Sequence, residues 1–301
     1  MRHVFIINPV SGHQDALKLI PWIESYFSTH PFDHEIHITQ YPGHATQIAQ
    51  QYHVEDDVTL YACGGDGTAN EVLNGCAPGV AMAIIPSGTG NDFFRMISTK
   101  KNDLKTILFD TIEGKEVWVD YGTSNQKAYM DSSTLGFDAD VGVEANRIAR
   151  FKWIPSKLVY LTAVFKILAK RSPKEVVIDM NNTTLRTHAL IVAVMNGQFY
   201  GGGFLPTPMA SIQDGNLDVC VIQDTDLKNI LRLLPKYMKG THVDEPIVKF
   251  YKTQAIRIQC TEPVNIQTDG EVTQNTILDV RIEKQALKMR VPQSSSLVGI
   301  V

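Results

Sequence analysis

Cys63-Gly64-Gly65-Asp66-Gly67-Thr68-Ala69-Asn70-Glu71 decides how the rest of the chain is read. The residues before it, Asp57 to Ala62, have the β-branched and aromatic content of a buried strand, and Ala69 to Asn74 has the pattern of a short helix. The glycines therefore sit at a strand-to-helix turn. Three of them in four residues remove the Cβ atoms that would hold a ligand off the main chain. They also permit positive φ, so successive N–H groups can converge on an anion. The helix start adds unpaired N–H groups and a partial positive charge. Asp66 would repel a phosphate there unless a divalent cation lay between them. Both an ordinary Asp-Gly turn and a metal-phosphate carboxylate fit this position.

Working outward, the first half of the chain repeats the same grammar. His3 to Ile7 is a short apolar strand that ends in Asn8-Pro9-Val10-Ser11-Gly12. Ala16 to Phe27 is helical in pattern with Pro21 opening a second segment, Glu35 to Thr39 is a strand, and Ala45 to Tyr52 is a helix. Val80 to Ile85 is a further strand, feeding Pro86-Ser87-Gly88-Thr89-Gly90-Asn91-Asp92-Phe93. Strands alternating with helices predict a parallel sheet with ligands beyond the strand C-termini. The loops at 8–12, 64–68 and 87–91 are therefore expected to face one crevice.

After Val117-Trp118-Val119-Asp120-Tyr121 the pattern changes to short strands separated by turns. Strands are expected at 176–180, 189–195, 217–222, 256–260, 264–268 and 277–282, with helices at 138–149, 156–171 and 226–238. The fold class is α/β plus β: an N-terminal α/β nucleotide-binding domain over 1–122 and a C-terminal β-sandwich over 123–285. Residues 286–301 form a last segment whose pairing with the first domain the pattern leaves open.

Composition narrows the function. The 301 residues carry a net charge of -4. With a pI near 6.1 this argues against general nucleic-acid binding. Cys63, Cys76, Cys220 and Cys260 form no CxxC pair and read as reduced core thiols. The apolar run Val4 to Ile7 is too short for a signal peptide, and no run approaches a membrane span. A cytoplasmic protein is expected, one that would meet a membrane only from its inner face. His30, His34 and His37 are the nearest approach to a histidine cluster and match no zinc spacing.

Two acidic turns stand out in the second half. Ser211-Ile212-Gln213-Asp214-Gly215-Asn216-Leu217-Asp218 offers hard oxygen ligands suited to magnesium or calcium, and equally fits a tight turn with solvated acids. Thr268-Asp269-Gly270-Glu271 is a hairpin signal, yet Glu271 on a rigid hairpin could accept the proton of an alcohol during phosphoryl transfer. Between Arg147 and Arg171 the cations Arg147, Arg150, Lys152, Lys157, Lys166, Lys170 and Arg171 alternate with Phe151, Trp153, Ile154, Tyr160 and Phe165, without an acidic residue. Such a stretch can rest on anionic lipid, or can bury its aromatics and leave its cations in water.

Asn8-Pro9-x-Ser11-Gly12, Gly64-Gly65-Asp66-Gly67-Thr68-x-Asn70-Glu71-Val72-x-Asn74-Gly75, Pro86-x-Gly88-Thr89-x-Asn91-Asp92-Phe93, Asp214-Gly215-x-Leu217-Asp218 and Asp269-Gly270-Glu271 occur in the order seen in the diacylglycerol kinase catalytic family. The chain most closely resembles the soluble bacterial lipid kinases of that family. The resemblance implies a two-domain enzyme using ATP and Mg2+. Asn8, Ser11, Gly12, Gly64, Gly65, Gly67, Thr68, Asn70 and Thr89 would line the nucleotide site, and Glu271 and Asp66 would be its catalytic carboxylates. Ser211, Asp214 and Asn216 would hold a magnesium ion, with a second travelling on ATP. Diacylglycerol at a membrane surface would be the acceptor; nucleic acid is not an expected partner, and a homodimer stands open. Related bacterial enzymes carry basic residues just after the first loop, where this chain has His13, Gln14 and, a turn later, Lys18. The Gly-Gly-Asp-Gly-Thr turn also resembles that of NAD kinases and phosphofructokinases, so a kinase for a soluble substrate is an alternative. A nucleotide-binding regulator without catalysis is another.

Overall fold

The computed structural model describes residues 1–98, 102–149, 162–164, 166–167 and 173–299. Two compact units divide the chain. The first comprises Met1–Tyr121, Ile212–Gly215 and Glu283–Val301, and the second Gly122–Ser211 and Asn216–Ile282.

The first unit runs β1 (Arg2–Ile7), α1 (Leu19–Phe27), β2 (His34–Ile38), α2 (His44–Ala49), β3 (Val58–Gly64), α3 (Asp66–Gly75), β4 (Ala81–Pro86), α4 (Asp92–Ile97), α5 (Leu104–Ile112) and β5 (Lys115–Ser124), the last crossing the unit boundary. β2, β1, β3 and β4 are parallel neighbours in that order. β1 and β3 read as unbroken apolar runs because helices cover both faces of a parallel sheet. Alternate side chains Phe5, Ile7, Tyr61, Cys63, Ala83 and Ile85 pack against Leu19, Ile23 and Phe27 of α1 and Leu108 and Ile112 of α5. A short 3-10 helix, Ser11–Lys18, leads into α1. Pro21 lies in the first turn of α1, where its missing N–H breaks no ladder bond. Ile7 pairs with Cys63 and Gly64 with Pro86, so three strands end level and release their loops along one sheet edge.

The second unit contains β6 (Lys127–Tyr129), β7 (Ser132–Gly136), α6 (Phe137–Ala149), β8 (Lys174–Met180), β9 (Thr183–Met195), β10 (Leu217–Gln223), α7 (Leu227–Lys239), β11 (Val248–Thr253), β12 (Ala255–Thr268) and the start of β13 (Glu271–Val291). Its pairings are antiparallel. β9 explains the packing. Val192 and Val194 enter one core with Ile178, Val219, Val221, Ile258 and Val280, whereas Ile191, Ala193 and Met195 enter another with Val141, Ile230, Leu233 and Tyr237. Burial on both faces is why residues 189–195 carry no polar alternation.

Several expected elements are redrawn. Residues 256–260 and 264–268 form one strand, β12, whose register shifts between Gln259 and Val264 around Pro263, a residue that cannot donate to the ladder. Residues 277–282, expected as a strand of their own, and the last segment as far as Val291 belong to the single strand β13. Its last part pairs in parallel with β4 at Met289 and Met82. β11 was absent from the expected strands. Most of the helix expected at 156–171 lies outside the described residues. No described helix is long and apolar enough to cross a membrane.

His3 is 2% exposed at the edge of the first core, and its Nδ1 lies 2.8 Å from the Tyr61 hydroxyl. Burial, and after it the Arg290 cation, lower its pKa from 6.5 to about 4. The folded state therefore keeps His3 neutral while the unfolded chain takes up a proton, so stability is lost as pH falls from 6.5 toward 4. In denaturant titrations across this window, His3→Gln is expected to show a shallower fall in stability than the parent; parallel curves would refute the assignment.

Candidate functional site

The loops after β1, β3 and β4 build one cavity of about 530 Å3, lined by Asn8, Val10, Ser11, Gly12, Gly65, Asp66, Gly67, Thr68, Glu71, Gly88, Thr89 and Gly90. Their convergence is a main-chain contact. A Cβ on Gly88 would lie 2.3 Å from Gly65 Cα, and one on Gly12 would lie 2.0 Å from the Ser87 carbonyl oxygen. Gly12 has φ +56, whereas Gly64, Gly65 and Gly67 keep negative φ. The central glycines thus serve close approach, and the left-handed conformation expected of them belongs to Gly12 instead.

Side chains fasten the loops. Asn8 Nδ2 donates to Thr68 Oγ1 at 3.0 Å and its Oδ1 accepts from Val10 N–H at 3.2 Å. Ser11 Oγ donates to the Ser87 carbonyl at 3.3 Å. Asn91, at φ +53, accepts from Gly88 N–H at 3.1 Å and donates to Gly88 O at 2.8 Å. Gly64 closes β3 below the cavity, where a Cβ would strike Thr68, and Asn70 lies buried on α3 with its Oδ1 accepting from Asn74. The start of α3 presents its first N–H groups beside these loops, the geometry that favours an anion. Among the described residues no lysine or arginine lines the cavity. Lys18, the cation expected nearby, pairs with Asp15 at 2.6 Å.

Asp66 is placed differently from a free metal ligand. Its Oδ1 accepts the Asp92 N–H at 2.8 Å at the start of α4, joining α3 to the third loop. Burial pushes its carboxyl above the usual range while the amides of Asp92, Asn91 and Phe93 pull it back. Glu71, a motif residue assigned no role from the sequence, accepts Gly43 N–H at 2.9 Å and Ala45 N–H at 3.2 Å, fixing the start of α2. This orients a second, adjoining cavity of about 220 Å3 that shares Asn8, Val10, Thr68 and Glu71 and adds Thr39, Gln40, Tyr41 and Pro42. These last residues follow β2 without a glycine signature, which is why the sequence did not mark them. Tyr41 stacks on His44 at 4.6 Å, giving this wall an aromatic face.

Glu271, Ser211 and Asn216 belong to the second unit and Asp214 to the first. Asp269 and Gly270 have φ 43 and 87, a two-residue hairpin turn in which Thr268 pairs with Glu271. The Asp269 carboxylate accepts Met130 N–H at 2.6 Å and Asp131 and Ser132 N–H at 3.0 Å, so the turn is anchored. Glu271, 63% exposed, pairs with Lys127. Of the basic stretch, Arg147 and Lys166 both reach Glu144, at 3.9 and 2.5 Å. Arg150, Phe151, Lys152, Trp153, Ile154, Lys157, Tyr160, Phe165, Lys170 and Arg171 lie outside the described residues.

Among the described residues no three His, Cys, Asp or Glu side chains converge. Ser211, Asp214 and Asn216 nevertheless offer only oxygen or amide donors, the chemistry magnesium takes. Asp120 adds a carboxylate the sequence did not mark. It is fully buried, accepts Gly215 N–H at 2.7 Å and Gln285 N–H at 2.6 Å, and has its pKa raised by burial and by the nearby Asp214 charge.

A glycine-rich loop cradle at the edge of a parallel sheet, on a chain that continues into antiparallel strands, is the architecture of two-domain α/β phosphotransferases. Residues 2–124 match the diacylglycerol kinase catalytic domain, and residues 132–291 match the YegS C-terminal NAD kinase beta sandwich-like domain. The chain belongs to the diacylglycerol kinase catalytic family and is a kinase with an alcohol acceptor. It is 24% identical to a diacylglycerol kinase of Bacillus subtilis over 269 residues, 88% of each chain. It is 26% identical to a diacylglycerol kinase of Staphylococcus carnosus, over 88% of this chain and 87% of that protein. A crystal structure of a diacylglycerol kinase from Bacillus anthracis superposes with a TM-score of 0.71 at 22% identity, covering 96% of each chain, which shows the fold.

Gly88→Ala is expected to cost about 1–3 kcal/mol of stability by overpacking against Gly65, and to weaken nucleotide binding in calorimetric titration. Parent-like values for both would show that the loops do not depend on this contact.

Proposed function

We propose that the protein transfers the γ-phosphoryl group of ATP to the hydroxyl of a membrane-borne lipid alcohol, diacylglycerol being the acceptor its family resemblance favours. The observation that supports this reading is the cradle of 530 Å3, lined by Gly12, Gly65, Gly67, Gly88 and Gly90 and the hydroxyls of Ser11, Thr68 and Thr89, with Asp66 and Glu71 in its wall. The adjoining cavity of 220 Å3, with Tyr41 in its wall backed by His44, suits the base and sugar.

Asn8, Ser11, Gly12, Gly65, Gly67, Thr68 and Thr89 hold the phosphates in this reading, Gly64 and Asn70 shape the turn beneath them, and Asp66 keeps the second and third loops in register. Glu271 accepts the proton of the acceptor hydroxyl. Its backbone is fixed by the Asp269 turn, and Lys127 orients its carboxylate. Asp214, with Ser211 and Asn216 beside it, would hold a magnesium ion, and a second travelling with ATP would supply positive charge to the transfer. The reaction would take place at the inner face of a membrane, where the lipid resides.

Incubation with magnesium, labelled ATP and diacylglycerol vesicles is expected to yield labelled phosphatidic acid. Glu271→Gln should retain ATP affinity and lose on the order of 10²-fold in turnover. Unchanged turnover would remove Glu271 from the chemistry, and label appearing only in a soluble acceptor would overturn the lipid assignment.

A further inference from the structure

α7 is thirteen residues, Leu227-Lys-Asn-Ile-Leu-Arg-Leu-Leu-Pro-Lys-Tyr-Met-Lys239, and its apolar face is wider than the stripe it buries. Ile230, Leu233 and Tyr237 are buried in the core against Cys220, Ile222 and Val248, and Leu234 packs partly against that core. Leu227, Leu231 and Met238, spaced at i, i+4 and i+11, form an outer row and are 45, 46 and 45% exposed.

Cations run beside it. At one residue's rotation from the row lie Lys228, Arg232 and Lys239, all exposed. Arg232 and Lys236 share Glu245, at 3.1 and 2.5 Å. Lys228 and Lys239 carry no ion pair among the described residues. The helix ends at Gly240, where the side chains of Leu205 and Pro208 crowd the Cα and bring Met209, 69% exposed, to the same end. The result is a convex line of flexible Leu and Met side chains with no aromatic ring in it and unpaired positive charge along one flank. A protein partner is normally anchored by rigid aromatic side chains in pockets, whereas a bilayer takes flexible apolar side chains between headgroups and attracts the flanking cations.

We propose that α7 is a membrane-docking helix, lying in the plane of an anionic bilayer with Leu227, Leu231 and Met238 among the headgroups and Lys228 and Lys239 on lipid phosphates. The proposal rests on the lipid-kinase reading for its occupant. It assigns contact to a helix of the second unit distinct from the basic stretch at 147–171.

The test uses the full chain and co-sedimentation with vesicles of phosphatidylglycerol and phosphatidylcholine, with circular dichroism confirming the fold of each variant. Leu231→Gln with Met238→Gln, and separately Lys228→Gln with Lys239→Gln, are each expected to reduce binding on the order of tenfold. Only the lysine pair should lose its effect on vesicles of phosphatidylcholine alone. Phosphorylation of a short-chain diacylglycerol dissolved as monomers should be unchanged in both variants. Parent-like vesicle binding by both variants would overturn the proposal. So would a change in self-association by analytical ultracentrifugation with vesicle binding intact, which would make the row an interface between copies. A parent that binds vesicles through α7 but phosphorylates no diacylglycerol would uphold the docking helix and defeat the lipid-kinase reading instead.

Discussion

The contact between Gly65 and Gly88 is the constraint on which the site depends. Two strand ends can bring their loops this near only if neither carries a side chain at the point of contact, and Gly12 meets the same condition against Ser87. Once the three loops touch, their free N–H groups share one cavity. The approach is enforced from outside by carboxylates that bind main-chain N–H groups: Asp66 on the third loop and Glu71 on the start of α2. Asp120 does the same for Gly215 and Gln285, and Asp269 for residues 130–132. An ionised carboxylate accepting backbone N–H groups is a strong, directional tie. Four of the chain's acids thus act as fasteners of loops, which separates them from Glu271 and Asp214.

Much of this was legible because glycine and strand patterns are local. The parallel strands, the three loops and the unbroken apolar run of β9 follow from residue type and spacing alone. What escaped the sequence was long-range. Nothing in Asp57 to Asn74 reveals that Asp66 will meet an amide at residue 92, and a glycine looks the same whether it is needed for positive φ or for close approach. Positive φ fell at Gly12, while the Gly64, Gly65 and Gly67 cluster serves proximity. The wall at Thr39 to Pro42 was missed for a related reason: it lines its cavity through placement by Glu71, and carries no motif of its own. The length of β13 was missed because its middle is polar, yet a strand that is exposed there needs no apolar residue to keep its ladder.

A cradle whose described residues bring no lysine or arginine to its lining constrains how its ligand is held. Lysine or arginine on flexible stems would bind a polyphosphate through side chains that must be ordered on each encounter. Main-chain amides already fixed by Asn8, Ser11, Asn91 and Asp66 need no such ordering, and a helix start adds its partial charge in a constant direction. Preorganised dipoles stabilise charge without reorganising as it moves, the property phosphoryl transfer asks for. They do not neutralise a triphosphate, however. The remaining charge must be met by a cation that arrives with the nucleotide, the more so because Asp66 and Glu71 bring carboxylates of their own to the cavity wall.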